Sequence, residues 1–291
     1  MGDFMLTVDA RAKINLTLDI LGKRPDGYHE VSMVMQQIEL SDILKLREGP
    51  KGTGINLISD LPGLPSVERN LAYKAAKLIM DKFKIEQGLY MELTKRIPIA
   101  AGLAGGSTDA ASVLVSINEL FNLGLDLDQL CALGSQIGSD VPFCIRGGTM
   151  LATGRGEILK PLPMMPKCYI VLAKPQIDVS TAWAYQNYQS EKVVKHPENE
   201  KIIQCLAKDD LTGIGKLLCN VLESVTMEAY ADIAMIKQLM IHHGAMASLM
   251  SGSGPTVFGL TPDKEKAEYI AGKLRELTTA KVILTKTVYQ D

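Results

Sequence analysis

Pro98-Ile99-Ala100-Ala101-Gly102-Leu103-Ala104-Gly105-Gly106-Ser107-Thr108-Asp109-Ala110-Ala111 is a run of small residues that feeds straight into an apolar stretch ending at Ile117. Small side chains let a backbone approach a ligand closely, and glycine supplies the positive φ angles of a tight loop. The apolar stretch predicts a helix, and Ser107, Thr108 or Asp109 is placed to cap it. Free N–H groups and the positive end of the helix dipole then face the loop, which suits phosphate. The loop is not a Walker A sequence, because no lysine follows Gly106. Nor is it a dinucleotide fingerprint, because Gly102, Gly105 and Gly106 miss the G-x-G-x-x-G spacing. On these residues alone, a strand-to-helix turn packed under a domain accounts for it equally well.

Working outward, Leu89, Met91 and Leu93 alternate as a strand leading into the loop, and Leu71, Ala75, Leu78, Ile79 and Phe83 have helical spacing. Nearer the start, Ile14, Leu16, Leu18 and Ile20 alternate with Lys13, Asn15, Thr17 and Asp19. This predicts a strand with one buried and one polar face, on which Lys13 and Asn15 point the same way. A turn-rich loop at 22–27 is followed by extended chain from Tyr28 to Leu40, and 49–65 reads as loops around a short strand at Ile55-Asn56-Leu57. Asp126 reads as the N-cap of a helix with Leu127, Leu130, Leu133 and Ile137 inward, stopped at Gly138.

Pro161, Pro163 and Pro166 interrupt the pattern and place a boundary near residue 160, giving lobes 1–160 and 161–291. The second lobe opens with a strand at Cys168–Ala173. Helices are expected at about 180–188, 198–208, 211–222, 228–243 and 263–278. Strands are expected at Ala247–Met250, Thr256–Leu260 and 281–289. Strands and helices mix without a regular βαβ alternation, so the expected class is α+β in two lobes.

Composition excludes several functions. The 291 residues are 46% hydrophobic and 22% charged, with a formal net charge of −2 and no block of Lys and Arg. Nothing supports binding to nucleic acid or to a membrane surface, and no apolar run reaches the length of a membrane span. Met1-Gly2-Asp3-Phe4-Met5 lacks the basic and apolar regions of a signal peptide, and Leu6 stands where a myristoylation motif wants Ser or Thr. Cys131, Cys144, Cys168, Cys205 and Cys219 form no C-x-x-C pair, which fits free thiols in a reducing cytoplasm. His29, His196, His242 and His243 show no zinc spacing.

Three segments, Ala12-Lys13-Ile14-Asn15-Leu16, the Pro98–Ala111 loop and Ser251-Gly252-Ser253-Gly254-Pro255-Thr256, together resemble the three motifs of the GHMP small-molecule kinases, in that order. The resemblance implies an N-terminal ribosomal-protein S5-like lobe, a C-terminal ferredoxin-like lobe, ATP as co-substrate and Mg²⁺ carried on its phosphates. Gly22-Lys23-Arg24-Pro25-Asp26-Gly27-Tyr28-His29-Glu30 resembles the substrate loop of the branch that phosphorylates a cytidine diphosphate-linked methylerythritol. Gly138-Ser139-Asp140-Val141-Pro142-Phe143 resembles the segment that carries the catalytic aspartate. The likeness spans nearly the whole chain and is weakest from Tyr188 to Leu218. Two departures stand out. Ala100, Ala101 and Ala104 replace glycines common in the family, which is tolerated where φ is negative. Thr108 replaces a second serine and keeps its hydroxyl.

The resemblance also implies roles, each with a plainer alternative. Asp140 is the expected general base, or a turn aspartate. Lys13 is expected beside it, and Asn15 on the substrate, or both are solvated strand residues. Tyr28 and Tyr185 are expected to wall the cytosine and His29 to hydrogen-bond its edge. The alternatives are a half-buried strand residue for Tyr28, an ordinary non-ligand histidine for His29, and Trp183 in place of Tyr185. Asn70 and Lys95 fall near the adenosine, or are surface residues at element ends. Pro98, Ile99, Ala100, Ala101, Gly102, Leu103, Ala104, Gly105, Gly106, Ser107 and Thr108 form the expected phosphate loop. Ser107 is the best candidate to reach Mg²⁺ through a phosphate; no carboxylate pair stands out as a metal site. A same-fold kinase for another small alcohol would lack a cytidine preference. A nucleotide-binding regulator without turnover would not need both Lys13 and Asp140. Monomer and homodimer are both open.

Overall fold

A computed structural model describes residues 5–60 and 67–288. The first four residues, the end of the loop region at 61–66 and Tyr289, the last residue of the expected final strand, lie outside the described residues. The chain forms two compact units, each built from separated stretches: Met1–Ala12, Leu40–Ile99 and Ala104–Gly147 in the first, and Lys13–Glu39, Ala100–Leu103 and Gly148–Asp291 in the second. Two long strands, β1 (Leu6–Lys23) and β2 (His29–Gly49), contribute to both.

The first unit adds β3 (Ile55–Ser59), α1 (Leu71–Phe83), β4 (Gly88–Thr94), α2 (Gly105–Leu120), α3 (Leu127–Gly134) and α4 (Val141–Arg146). β4 pairs antiparallel with the end of β2, Ile43 opposite Thr94, and parallel with β3, Ile55 opposite Leu89. The alternation read in β4 is realised. Leu89, Met91 and Leu93 enter a core with Ala72, Ala75, Ala76 and Ile79 of α1 and Ala110, Val113, Leu114 and Ile117 of α2. Each large aliphatic side chain so buried contributes roughly 1.5–3 kcal/mol. Alanines on both helices let them approach closely.

Local capping sets the boundaries. The Asn70 side chain accepts from Ala72 N–H at 2.9 Å and starts α1. Asp126 and Gln129 form a reciprocal capping box at the start of α3. That helix stops at Gly134, four residues before the expected stop. In so short a helix Leu130 and Leu133 are buried, whereas Leu127 in the first turn is 52% exposed rather than inward.

The second unit adds β5 (Thr149–Thr153), β6 (Ile158–Pro161), β7 (Tyr169–Lys174), α5 (Thr181–Gln186), α6 (Asn199–Ala207), α7 (Leu211–Leu217), β8 (Cys219–Asn220), α8 (Glu223–Ala229), α9 (Ala231–His242), β9 (Ala247–Met250), β10 (Val257–Thr261), α10 (Lys264–Leu277) and β11 (Lys281–Lys286). β5 pairs antiparallel with both β2 and β6, and β8 pairs parallel with β1 at Thr17 and Leu18. An antiparallel sheet of order β11-β7-β10-β9 carries α9 and α10, matching the expected ferredoxin-like lobe and the α+β class. The expected helix over 211–222 ends at Leu217, because Cys219-Asn220 leaves it to pair with β1. The expected helix over 228–243 is divided at Tyr230, whose backbone is extended at φ −135.

Among the described residues no helix is long and apolar enough to cross a membrane. The five cysteines are free. One correction bears on function: the polar face of β1 is not solvated. Lys13, Asn15, Thr17 and Asp19 are all buried, as are Ile14, Leu16, Leu18 and Ile20 on the other face.

Candidate active site

In the second unit, Lys13 Nζ donates to Asn15 Oδ1 at 2.6 Å. The Lys13 backbone N–H donates to the Leu103 carbonyl at 3.2 Å, which ties β1 to the glycine-rich loop. Gly102 in that loop has φ +71, and a Cβ there would lie 2.2 Å from the Ser251 carbonyl oxygen and 3.0 Å from that of Gly254. The Ser251 hydroxyl donates to the Gly102 carbonyl at 2.9 Å. A Cβ on Gly252 would lie 3.2 Å from the Gly102 carbonyl oxygen and 3.4 Å from both Asn15 Oδ1 and Lys13 Nζ. Three segments distant in sequence therefore meet at Gly252. An ammonium and an amide, both desolvated, stand there beside bare backbone, a combination suited to holding phosphate or alkoxide oxygens.

The third segment is itself held in place. Asn220 Nδ2 donates to the carbonyls of Met250 and Gly252, both at 2.8 Å. Ser253 meets Thr181 at 3.0 Å through its hydroxyl, and its carbonyl accepts from Thr226 at 3.3 Å. Thr17 donates to Asn199 Oδ1 at 2.6 Å, Asn199 Nδ2 donates to Ser32 Oγ at 2.8 Å, and His196 Nδ1 lies 2.8 Å from Asp19. Sequence reading missed Asn220, Asn199 and His196. Two of them come from the segment where the family likeness is weakest, and the only signal was the run of polar residues on β1 that needed partners.

The aromatic residues are also in the second unit. Tyr28 is 54% exposed, with the Arg155 guanidinium 5.0 Å from its ring centre. The His29 ring lies 5.4 Å from that of Tyr185 at a tilt of 35°. Burial, helped by the charge of Lys23, lowers the His29 pKa, so the imidazole is neutral at pH 7 and has one donor and one acceptor nitrogen. Trp183 packs edge-on against Tyr230 at 5.7 Å.

In the first unit the site residues gather at the start of α2. Ala104, not Ser107, Thr108 or Asp109, occupies the N-cap position, and no side chain caps the helix. The expected cap is thus corrected: Thr108 donates to the Arg11 carbonyl at 2.7 Å, and Asp109 binds Lys95 at 2.6 Å. The expectation about alanine is corrected too, since Ala104 at φ 58 and Ala100 at φ 49 are left-handed, the conformation for which glycine is favoured. Pro98 is half-buried and Ile99 exposed, while Ala101 and Leu103 are buried. A Cβ on Gly106 would lie 3.4 Å from Leu71 Cδ1, so the start of α1, with buried Asn70, adjoins the start of α2.

Asn70 and Lys95 are therefore not surface residues. The Lys95 ammonium is enclosed by Asp42 and Asp109, with side-chain exposures of 5%, 0% and 3% respectively. A Cβ on Gly105 would lie 3.6 Å from Lys95 Nζ. Asp140 stands at the N-cap of α4 but does not use its carboxylate for capping. A Cβ on Gly138 would lie 3.9 Å from Ser107 Oγ, so the turn entering Asp140 lies against that hydroxyl. Among the described residues no group of three or more His, Cys, Asp or Glu could hold a metal ion.

The GHMP kinases N terminal domain matches residues 70–148 and the GHMP kinases C terminal domain matches 193–278. The chain is 51% identical over 270 residues, 93% of each chain, to 4-diphosphocytidyl-2-C-methyl-D-erythritol kinase of Geobacillus kaustophilus. A crystal structure of 4-(cytidine 5'-diphospho)-2C-methyl-D-erythritol kinase superposes with a TM-score of 0.82 at 32% identity, covering 98% of this chain and 100% of that one. Homoserine kinase from Cytophaga hutchinsonii shares the fold at a TM-score of 0.77 and 20% identity, covering 99% of this chain and 95% of that one.

Proposed function

The chain belongs to the GHMP kinases, in the 4-diphosphocytidyl-2-C-methyl-D-erythritol kinase family, and from that premise we propose that it transfers the γ-phosphoryl group of ATP to the 2-hydroxyl of 4-diphosphocytidyl-2-C-methyl-D-erythritol. This is a step of the non-mevalonate route to isoprenoid precursors. The observation that carries the reading is the meeting of Lys13, Asn15, Gly102 and Gly252 at one point.

Asp140 takes the proton of the attacking hydroxyl. Lys13 offsets charge building on the reacting oxygens, and Asn15 orients the substrate. The backbone from Pro98 to Thr108 wraps the ATP phosphates, with the uncapped N–H groups of Gly105 and Gly106 and the helix dipole directed at them. Asn70 and Lys95 lie on the adenosine side. Tyr28 and Tyr185 wall the cytosine, and the neutral imidazole of His29 hydrogen-bonds its edge. Mg²⁺ carried on the ATP phosphates would neutralise part of their charge, and Ser107 would be the residue that reaches it through a phosphate. In sequence terms the lobes run 1–160 and 161–291, with Lys13–Glu39 and the stretch from Gly148 on packed in the second compact unit; the enzyme works in the cytoplasm, and it acts as a monomer or homodimer.

Asp140→Asn tests the assignment. The amide cannot take the proton, so kcat falls by roughly two to four orders of magnitude while ATP binding persists. Near-normal kcat removes Asp140 from the mechanism.

A further inference from the structure

We propose that Asp109 is a positioning residue whose carboxyl proton sets the charge beneath the phosphate loop, so that ATP binds best when that proton is in place. The inference rests on reading the start of α2 as the ATP phosphate site.

Two carboxylates share one ammonium in a space almost closed to water. Lys95 Nζ donates to Asp109 Oδ2 at 2.6 Å and also to Asp42, and none of the three side chains is more than 5% exposed. The two carboxylates are not equivalent. Asp42 Oδ1 accepts the backbone N–H groups of Arg96 at 2.5 Å and Ile97 at 2.8 Å, and its other oxygen takes Lys95. Asp109 Oδ1 is buried and has no hydrogen-bond partner. A buried carboxylate oxygen without a donor disfavours the charged form. The proton therefore belongs to Asp109. Burial, with Asp42 adding to it and Lys95 opposing it, pushes the Asp109 pKa up to about 7.

Among the described residues, Lys95 and Asp42 are the charged groups that act most strongly on Asp109. β1 meets this turn through the Arg11 carbonyl, which accepts from Thr108. The hydrophobic core that α2 shares with α1, α3 and α4 includes Ala72, Ala75, Ala76, Leu130, Leu133 and Val141.

With the proton the cluster is neutral; without it the net charge is −1. That charge lies beneath the loop, because a Cβ on Gly105 would be 3.6 Å from Lys95 Nζ. Phosphate bound at Gly105 and Gly106 is repelled by it. ATP affinity is thus highest below the Asp109 pKa and declines as pH rises through it. By linkage, ATP raises that pKa and binds with proton uptake. A unit charge about 10 Å away at an effective dielectric of about 20 changes affinity by roughly fifteenfold, which salt screening brings to about five- to tenfold.

The test is calorimetry with a non-hydrolysable ATP analogue and magnesium, on the wild type and Asp109→Asn, from about pH 6 to about pH 8.5. Asn keeps the shape of the protonated acid and cannot ionise. The wild type should weaken by about fivefold across that range, and Asp109→Asn should hold an affinity near the wild-type acid limit. The ligand's own titration is common to both proteins and cancels in their ratio. Wild-type titrations near pH 7 in buffers of different ionisation heat give a readout that needs no variant, and they should show net proton uptake. Parallel pH profiles in the two proteins, or no uptake by the wild type, overturn the proposal. A wild type that binds no analogue at any pH overturns the reading of the loop itself, and the proposal with it.

Discussion

Gly102→Ala tests whether the three motif segments meet as described. The residue sits at φ +71, where an alanine costs about 1–2 kcal/mol. The new methyl would start 2.2 Å from the Ser251 carbonyl oxygen and 3.0 Å from that of Gly254. Both obstacles are backbone, so the loop must move by more than an ångström. Overpacking of this kind costs about 1–3 kcal/mol. The move also stretches the 2.9 Å bond from Ser251 Oγ to the Gly102 carbonyl, worth about 1 kcal/mol. The sum is about 3–6 kcal/mol, or a fall in Tm of roughly 10 °C. Displacing the segments that carry Lys13 and Gly252 should also lower kcat by about a hundredfold. Gly272→Ala is the matched control. It lies inside α10 with nothing within 4 Å of the added Cβ, so it should raise stability by about 0.5–1 kcal/mol. Thermal unfolding and an ADP-coupled assay on both variants read the two effects. A Gly102→Ala protein with wild-type Tm and kcat would refute the convergence.

Two further outcomes follow from the same site. Tyr28→Leu and Tyr185→Leu should each weaken substrate binding by about 1–3 kcal/mol and leave ATP binding unchanged, with Phe tolerated at both positions. Unchanged substrate affinity in Tyr185→Leu would assign that ring to packing, with His29 as its partner. Gly105→Val puts a branched carbon where even a Cβ would be 3.0 Å from Ile97 Cγ2, in front of the helix N–H groups. ATP-analogue affinity measured by calorimetry should fall by tenfold or more, about 1.4 kcal/mol, and substrate affinity much less. Equal affinities in a folded variant would make the loop a structural turn.

Elements that depend on local sequence were legible. The alternation of Leu89, Met91 and Leu93, the spacing of α1, and the cap Asp126 all appear where the residues placed them. What escaped depends on distant chain. Cys219-Asn220 carries no strand signal of its own and becomes extended only because β1 offers it an edge. Lys13 and Lys95 look like solvated lysines until their partners, near and remote in sequence, enclose them. Ala104 gives no hint of a left-handed backbone, because the conformation is imposed by the loop's path into α2. The motif residues were readable as a set, but the convergence on Gly252 was not, since no local rule relates Lys13 to a turn more than two hundred residues away.

The most direct test of the central claim is ADP release by the purified protein with ATP, magnesium and one acceptor at a time. Turnover is expected with 4-diphosphocytidyl-2-C-methyl-D-erythritol, and little with homoserine or mevalonate, which offer no cytosine to Tyr28, His29 and Tyr185. Turnover with homoserine or mevalonate and none with the cytidine compound would contradict the account.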